Sequence, residues 1–279
     1  MRVVAIIQAR MGSTRLPGKV LEDIHGHSML NRVVRRTRQA NRLDDVLIAT
    51  STAAQDDAVA LECRQIGVPC FRGSEQDVLD RYFAAAEAAR AEVVVRVTSD
   101  CPLIDGSLID RVVATFCDQR PDYASNFLQR TYPRGLDNEA FHFEGLARAW
   151  CEAEAPYQRV HVTPYFYEHP ECFRLLAVTH DTDLSEGRWT VDTPDDLRFV
   201  RSVYDCFGGS DRFTWHDVLA LLAQQPSMAS INAHIRQKHL RDETLTPESG
   251  PAAIARLKQA QPITAESARS PLSSADRRA

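Results

Sequence analysis

The sequence predicts an α/β fold in which a mostly parallel, Rossmann-like central sheet lies between two layers of helices. The first third of the chain alternates continuous apolar runs with amphipathic helical stretches, which is the pattern of βαβ units around a parallel sheet. Of the 279 residues, 44% are apolar and 25% are charged, close to the average of soluble globular domains. The composition therefore excludes a wholly disordered, collagen-like or coiled-coil chain.

The first half of the chain predicts four strands and four helices. Continuous apolar runs indicate strands at 3–7, 46–50, 68–71 and 92–97. Amphipathic stretches indicate helices from near Ser28, over 56–66 with Gly67 as the stop signal, over 77–90 and over 107–116. In the first of these helices the face opposite the apolar one carries four arginines, and we expect it to be solvated: Arg32, Arg35, Arg36 and Arg38.

The second half predicts shorter elements and a tail. Strands are indicated at 123–126, 139–143, 173–179 and 188–192. Helices are indicated over 146–154, from Pro194 onward and over 213–224. From about residue 241 the composition shifts to Pro, Ser, Thr and Ala with few bulky apolar residues. We therefore predict one α/β domain over residues 1–240 and a flexible C-terminal tail over 241–279.

Charge, hydropathy and cysteine content narrow the class of protein. With 33 Lys and Arg against 38 Asp and Glu, the net charge of -5 argues against a protein that coats nucleic acid. No apolar run approaches the roughly 20 residues that span a bilayer, so we expect a cytoplasmic protein without a membrane segment. The seven cysteines contain no C-x-x-C pair and are expected to be small buried residues rather than a disulfide framework or zinc site. A homodimer is the default assembly.

A basic, glycine-containing loop follows the first predicted strand. Residues 10–19 read RMGSTRLPGK, with three cations and two hydroxyls within ten residues. Such a loop suits a triphosphate, because glycines let the backbone approach and fixed cations offset the anionic charge. It is not a Walker A motif, since five residues separate Gly12 from Gly18 and Val20 stands where Ser or Thr would hold magnesium. A solvated basic turn is the alternative interpretation.

Two aspartates, Asp100 and Asp192, each follow a predicted strand closely. In an open α/β sheet, ligands bind outside the carboxyl ends of the strands, so both side chains can face the same crevice as the basic loop. Magnesium prefers a few carboxylate oxygens together with water and substrate phosphate. The pair therefore predicts a magnesium site. The alternatives are a helix cap near Asp100 and first-turn charges at Asp192, Asp195 and Asp196.

With this loop and these aspartates, the chain resembles the cytidylyltransferases that make CMP-activated sugar acids, a group that includes the acylneuraminate and 3-deoxy-manno-octulosonate enzymes. Its motifs match best the branch usually described as spore coat polysaccharide biosynthesis protein F. The similarity runs from residue 4 to about residue 235, through IIQARMGSTRLPGKVL, FRGSEQDVLDRY, VRVTSDCPLID, YPRGLDNEAF, HVTPYFY and RWTVDTPDDL.

The resemblance implies a fold and a reaction. The fold would be the three-layer α/β/α nucleotide-diphospho-sugar transferase-like type. The reaction would transfer CMP from CTP to a sugar acid or related small-molecule acceptor, with release of pyrophosphate and with Mg²⁺ as cofactor, for surface polysaccharide or glycoconjugate biosynthesis.

The resemblance also implies roles for single residues. Catalytic roles fall on Arg10, Lys19, Asp100 and Asp192, of which the two aspartates would be the magnesium ligands. The expected nucleotide-binding residues are Gln8, Ala9, Arg10, Gly12, Ser13, Lys19, Arg72, Ser74 and Thr98. Thr98 stands where relatives that make CMP-octulosonate carry a glutamine beside the base. The candidates for binding the acceptor are Arg134, Asp137, Glu139, Arg159 and His161.

Two other functions stay open from the sequence. A glycosyltransferase of the related nucleotide-sugar-binding fold would use the same aspartates to hold a metal-diphosphate and would break the sugar–phosphate bond. The triphosphate-sized basic loop favours nucleotidyl transfer over this alternative. A catalytically inactive nucleotide-binding or scaffold protein is disfavoured because Arg10, Lys19, Asp100 and Asp192 are all present.

Overall fold

The structure is a computed structural model that describes residues 1–237. Its strands are β1 (Val3–Gln8), β2 (Asp23–Ile24), β3 (His27–Ser28), β4 (Asp45–Ser51), β5 (Cys70–Gly73), β6 (Val93–Thr98), β7 (Tyr123–Ser125), β8 (Glu139–His142) and β9 (Leu175–Ala177). Its α-helices are α1 (Met29–Thr37), α2 (Asp57–Gln65), α3 (Val78–Ala88), α4 (Gly106–Gln119), α5 (Phe143–Glu152), α6 (Pro156–His161), α7 (Pro164–Glu168), α8 (Pro194–Cys206), α9 (Trp215–Gln224) and α10 (Pro226–Ala229). The predicted domain end at residue 240 and the predicted tail over 241–279 lie outside the described residues.

Seven strands form one mostly parallel sheet in the order β5-β4-β1-β6-β8-β7-β9. β4 and β6 both pair with β1 in parallel, and β8 is antiparallel to its two neighbours. The strand β1 is central because its apolar run is buried on both faces, as continuous runs in parallel sheets are. A second, two-stranded sheet of β2 and β3 follows the basic loop and was not predicted. The predicted α/β class is confirmed.

Helices cover both faces of the sheet. Because side chains alternate along a strand, Val3, Ala5 and Ile7 of β1 pack with α1, α2, α4 and α8, whereas Val4 and Ile6 pack with α3 and α5. Each face is therefore closed by its own hydrophobic core. The result is the predicted three-layer α/β/α arrangement.

Short polar side chains set the helix starts. The hydroxyl of Ser28 accepts the backbone N–H of Asn31 at 3.0 Å and caps α1. Pro194 is the first residue of α8, and Thr193 before it forms a capping box with Asp196. Both predicted starting points are confirmed.

The strand predicted over 188–192 is wrong. Within the described chain this segment makes one isolated bridge, between Arg134 and Arg188. Its N–H groups are used elsewhere: Trp189 donates to the carbonyl of Arg134 at 2.7 Å and Val191 donates to that of Asp100 at 2.8 Å. The segment therefore crosses the carboxyl ends of the sheet instead of joining a ladder.

The expectation of a solvated arginine face on α1 is also wrong for two of its four members. Arg32 and Arg36 are buried. Arg32 pairs with the Asp211 carboxylate at 3.0 Å, and Arg36 lies over the ring of Phe213 at 4.2 Å. The segment after α8 closes over this face, and its carboxylate and ring replace water around the guanidinium groups.

The sequence predicts that there is no membrane segment and that the cysteines are buried. No helix within residues 1–237 combines the length and apolar character that a membrane crossing requires. Cys63 and Cys101 are buried as expected, whereas Cys151 and Cys206 are exposed, and all seven cysteines are free thiols. The expected burial is therefore confirmed for Cys63 and Cys101 and wrong for Cys151 and Cys206.

Candidate active site

The basic loop and the two predicted aspartates meet at the carboxyl ends of β1 and β6. Along the chain, β4 and β5 are added on one side of β1, and β6 then returns to its other side. This reversal of strand order opens a crevice between adjacent strand ends, where ligands bind in α/β sheets. The basic loop leaves β1 at this point, and Asp100 follows β6 by two residues.

Backbone contacts fold the basic loop back on itself. The carbonyl of Met11 accepts the N–H groups of Ser13 at 2.9 Å and of Gly18 at 3.0 Å. Gly18 has a φ of 72°, a left-handed conformation that glycine adopts at little cost. This turn leads into a short 3₁₀ segment, Lys19–Leu21, and brings Lys19 back towards the crevice.

Asp56 anchors the start of the loop and was missed from the sequence. It is fully buried; its Oδ1 accepts the N–H of Met11 at 2.7 Å and its Oδ2 accepts the hydroxyl of Ser51. The only local signal was a carboxylate at the first residue of a predicted helix, which also fits a helix cap. Asp56 therefore connects the loop after β1 to the end of β4.

We expect Asp56→Ala to raise the KM for the nucleotide roughly tenfold while changing kcat less, because a buried acceptor for a loop N–H is lost. Steady-state kinetics with varied nucleotide measures this. Asp118→Ala, an exposed carboxylate on α4, is the control. An unchanged KM in Asp56→Ala would show that the anchor does not order the loop.

Lys19 joins the two predicted aspartates at one point. Its Nζ lies 3.1 Å from Asp100 Oδ2 and 3.0 Å from Asp192 Oδ1, and donates to the carbonyl of Val191 at 2.6 Å. The two carboxylates come from positions 92 residues apart and share a single ammonium group. Their predicted convergence is confirmed, and neither one caps a helix.

Hydrogen bonds from the crossing segment hold the aspartates together. The N–H of Val191 donates to the carbonyl of Asp100 at 2.8 Å, and the hydroxyl of Thr190 donates to the same oxygen at 3.2 Å. On the other side, the hydroxyl of Thr98 donates to Asp100 Oδ1 at 2.6 Å. Both the backbone and the carboxylate of Asp100 are thus fixed in position.

Gly135 permits this crossing. Its φ is 105°, and a Cβ built there would lie 2.5 Å from the backbone nitrogen of Thr190 and from the carbonyl carbon of Trp189. Real Cβ atoms do not approach backbone atoms this closely. A side chain at this position would therefore displace the segment that carries Asp192.

We expect Gly135→Ala to lower the free energy of unfolding by at least about 3 kcal/mol and to reduce activity severely, because backbone must move. Gly67→Ala is the matched control, since Gly67 also has a positive φ, 62°, but has nothing within 4 Å of a built Cβ. The control should cost about 1 kcal/mol. Chemical denaturation measures both variants, and equal losses would contradict the close approach at Gly135.

The charges around Asp100 and Lys19 favour the ionised form of each. Burial raises the pKa of the Asp100 carboxyl, but Lys19 and the Thr98 hydroxyl outweigh burial and hold it below the ordinary 3.8. Burial lowers the pKa of Lys19, yet Asp100 and Asp192 outweigh it and hold it above the ordinary 10.5. Asp192 Oδ2 also lies 3.0 Å from Arg15 and 3.1 Å from Arg188.

Asp196 organises this side of the site and was read from the sequence only as a first-turn charge. It is fully buried and pairs with Arg188, whose Nε lies 2.8 Å from Asp196 Oδ1. Its Oδ2 accepts the backbone N–H of Asp192 at 3.0 Å. The Thr193-x-x-Asp196 capping box was the available signal, because such a carboxylate faces the preceding backbone.

The donor set fits one magnesium ion. No group of three or more His, Cys, Asp or Glu side chains that could hold a metal occurs within residues 1–237. The crevice instead offers two converging carboxylates that already share one cation, the Lys19 ammonium. Magnesium is commonly held by one or two carboxylates while substrate phosphate and water supply the other ligands. The role of Asp100 and Asp192 as magnesium ligands stays a prediction.

Several of the predicted nucleotide-binding residues lie at the end of β1 and in the basic loop that follows it. Arg10 is exposed, and its guanidinium has no hydrogen bond or ion pair with the residues that the structure describes. Gly12 is exposed beside it, and the hydroxyl of Ser13 accepts the N–H of Leu16 at 3.4 Å. Ala9 is buried and donates its N–H to the carbonyl of Ala49 at 3.2 Å. Arg10 is thus a cation available to a ligand.

Arg72 and Ser74 lie after β5 and make structural contacts. Arg72 donates to the carbonyls of Ser51 at 2.9 Å and Ala53 at 3.1 Å and pairs with Asp57 at 2.6 Å. Ser74 accepts the N–H of Asp77 at 3.0 Å before α3 begins. These contacts order the crevice wall, and direct binding of the nucleotide by either residue stays a prediction.

Several of the acceptor candidates form ion pairs with other described residues. Asp137 pairs with Arg130 at 2.6 Å and Arg159 pairs with Asp77 at 2.6 Å. Glu139 is buried and pairs with Arg96. These three side chains already have ionic partners.

Arg134 and His161 are also acceptor candidates. The guanidinium of Arg134 makes no hydrogen bond or ion pair within the described part of the chain. Burial lowers its pKa, and Arg130 and Arg188 lower it further. His161 is half-buried at the end of α6. The guanidinium of Arg134 therefore has donors available to an anion, and both cations and the carboxylates of Asp137 and Asp192 act on it electrostatically.

Comparisons with known proteins agree with this geometry. A family model described as cytidylyltransferase matches residues 4–202. The spore coat polysaccharide biosynthesis protein SpsF of Bacillus subtilis is 33% identical over 239 residues, 82% of this chain and 97% of that protein. The 3-deoxy-manno-octulosonate cytidylyltransferase of Geobacter sulfurreducens is 37% identical over 120 residues, 42% of this chain and 46% of that protein. The structure of a cytidylyltransferase from Leptospira borgpetersenii superposes with a TM-score of 0.80 at 33% identity, covering 86% of this chain and 100% of that one.

Proposed function

Because this chain belongs to the cytidylyltransferase family, we propose that it transfers CMP from CTP to a sugar acid or a related acceptor and releases pyrophosphate. The observation that carries the proposal is the Lys19 ammonium held between Asp100 and Asp192, at the strand ends where the basic loop begins. Family membership makes the chain a nucleotidyltransferase. The acceptor and the assignment of roles to single residues are the proposed part.

In the proposed reaction an acceptor oxygen attacks the α-phosphorus of CTP. A new P–O bond forms while the acceptor hydroxyl loses its proton to solvent, the bond to the bridging oxygen breaks, and pyrophosphate leaves with the electron pair. Negative charge develops on the leaving oxygen, so positioning and fixed cations supply most of the rate enhancement. Lys19 and the exposed Arg10 would stabilise the departing pyrophosphate. No covalent intermediate on the protein is needed.

Magnesium is part of the proposal, with Asp100 and Asp192 as its protein ligands. When bound, it would supply Lewis-acid polarisation of the α-phosphate. The chain's own contribution is to hold both carboxylates in place and aimed at one point. Thr98, Arg15 and Arg188 do this through the contacts described above.

A sugar acid is supported by the available cation on the acceptor side. The guanidinium of Arg134 has no partner among the described residues, and a guanidinium binds a carboxylate through two parallel hydrogen bonds. The similarity to a spore coat polysaccharide biosynthesis protein and to a 3-deoxy-manno-octulosonate cytidylyltransferase supports a product used in surface polysaccharide or glycoconjugate biosynthesis. A homodimer and a cytoplasmic location stay predictions.

Pyrophosphate release tests the proposal. The protein is incubated with Mg²⁺, each nucleoside triphosphate in turn and a panel of sugar acids, and pyrophosphate is followed over time. We expect release that requires both CTP and one class of sugar acid. A glycosyltransferase would consume a nucleotide sugar without releasing pyrophosphate, and an inactive nucleotide-binding protein would consume nothing. Either of those outcomes would overturn the proposal.

A further inference from the structure

Gln8, the last residue of β1, presents an amide whose orientation is fixed. Its Oε1 accepts a hydrogen bond from Nη2 of Arg96 at 3.0 Å. A guanidinium only donates hydrogen bonds, so the amide must turn its oxygen towards Arg96 and its NH₂ group away. The Nε2 of Gln8 has no hydrogen-bond partner among residues 1–237, and the side chain is half-buried.

The guanidinium that orients Gln8 is itself held in place. Arg96 pairs with Glu139, its register partner on β8, and Glu139 Oε2 accepts the hydroxyl of Tyr123 at 2.7 Å. The Arg96 side chain is 12% exposed and that of Glu139 is 2% exposed. Side-chain hydrogen bonds thus join four neighbouring strands, β1, β6, β8 and β7, and leave Arg96 little freedom to release the Gln8 oxygen.

The free NH₂ group lies at the crevice between the carboxyl ends of β1 and β6. Gln8 is the register partner of Thr98 across β1 and β6, and the Thr98 hydroxyl binds the Asp100 carboxylate. Gln8 also immediately precedes the basic loop. The crevice therefore has a charged end at Lys19 and the aspartates, suited to phosphates, and next to it a neutral, oriented hydrogen-bond donor.

We propose that Gln8 selects the base of the nucleotide, with its Nε2 donating to the acceptor edge of cytosine, and that Arg96 is the positioning residue that keeps this donor turned towards the base. The inference rests on the proposed function, because it concerns the same nucleotide. Cytosine presents lone pairs at both O2 and N3, whereas N3 of uracil carries a hydrogen. O2 is an acceptor in both bases, so the selective contact is the one to N3: a fixed N–H donor directed at N3 meets an acceptor in CTP and a competing donor in UTP.

Gln8→Glu tests the donor directly. A glutamate has the same shape and still accepts from Arg96, but it has no N–H to offer. We expect the ratio of kcat/KM for CTP to that for UTP to fall roughly tenfold to a hundredfold, mainly through a higher KM for CTP. The KM for the acceptor should change little. Gln8→Met, which is similar in length and uncharged, should lose the same selectivity, so the result does not depend on one variant folding.

Arg96→Lys tests the positioning role. Arg96 donates to Glu139 through one guanidinium nitrogen and to Gln8 through another. Lysine can still pair with Glu139, but it has no rigid fork that reaches both partners at once, so the Gln8 amide is free to turn. We expect a lower CTP to UTP ratio at little changed kcat for CTP. Added to Gln8→Glu, the substitution should cause no further loss of selectivity, because the donor it positions is already absent.

The outcomes separate this inference from the proposed function. If the wild-type protein releases no pyrophosphate from CTP, the proposed function fails. If the wild-type protein prefers CTP and both Gln8 variants keep that preference, the function stands and the assignment of Gln8 is overturned. A change in the KM for the acceptor with no change in base selectivity would also overturn it.

Discussion

Replacing Asp100 by asparagine is expected to lower kcat/KM by roughly 1,000-fold while the fold persists. The substitution keeps the volume of the side chain, and the amide oxygen can still accept from the Thr98 hydroxyl. It removes the negative charge that lies 3.1 Å from Lys19. It also removes one of the two carboxylates proposed to hold magnesium. The loss should therefore appear in turnover and to a much smaller degree in thermal stability.

Kinetics and melting curves on the same preparation measure this prediction. Asp118→Asn is the control, because Asp118 is exposed on α4. This substitution changes the net charge of the protein by the same amount as Asp100→Asn. The control should keep wild-type rates. Turnover by Asp100→Asn within tenfold of the wild type would contradict a role for this carboxylate in the reaction.

Much of the sheet could be predicted because its central strands are buried on both faces. The strands β1, β4 and β6 each contain three to five consecutive apolar residues, and such runs need no distant partner to be recognised. The segment 188–192 has a strand-like composition too. Its N–H groups bind the carbonyls of Arg134 and Asp100, and periodicity contains no information about such loop contacts.

The burial of Arg32 and Arg36 could not be predicted from the sequence for a similar reason. Their spacing on α1 predicts a polar face, and the helix does have that face. Whether water or protein covers it depends on Asp211, which lies 179 residues from Arg32 in the sequence. The local sequence pattern around α1 contains no information about a contact with a residue so far away in the chain.

The site could be predicted where its residues have unusual chemistry and not where they act as supports. A loop with three cations, and two aspartates beyond apolar runs, are uncommon combinations that indicate phosphate and metal chemistry. Asp56 and Arg96 are ordinary polar residues in the sequence. Their importance comes from burial and from partners on other strands, which only the folded chain shows. Asp196 lies between these cases, since its capping box is visible locally.

Replacing Lys19 by methionine is expected to lower kcat/KM by roughly 1,000-fold or more and the free energy of unfolding by about 3 kcal/mol. The ammonium group is the shared partner of two carboxylates, and its side chain is 11% exposed. Without it, Asp100 loses its cation and faces Asp192 at short range. Asp192 keeps Arg15 and Arg188, so the destabilisation should come mainly from Asp100.

Lys19→Arg separates the two effects. Arginine restores a positive charge between the carboxylates, so we expect most of the stability to return. Its larger, planar group cannot occupy the position of a compact ammonium 2.6 Å from the carbonyl of Val191, so activity should stay low. Equal stability of the methionine and arginine variants would show that the charge of Lys19 does not hold the aspartates.

The same variants measure whether the carboxylate pair binds a divalent cation, independently of turnover. In Lys19→Met the two carboxylates lack their common partner, so added Mg²⁺ should raise the Tm more than it does in the wild type, where the ammonium competes for the same oxygens. In the double variant Lys19→Met with Asp100→Asn, one ligand is missing and the increase should disappear. An equal increase in all three proteins would place any bound magnesium elsewhere, because neither the competing cation nor the carboxylate pair would then affect its binding.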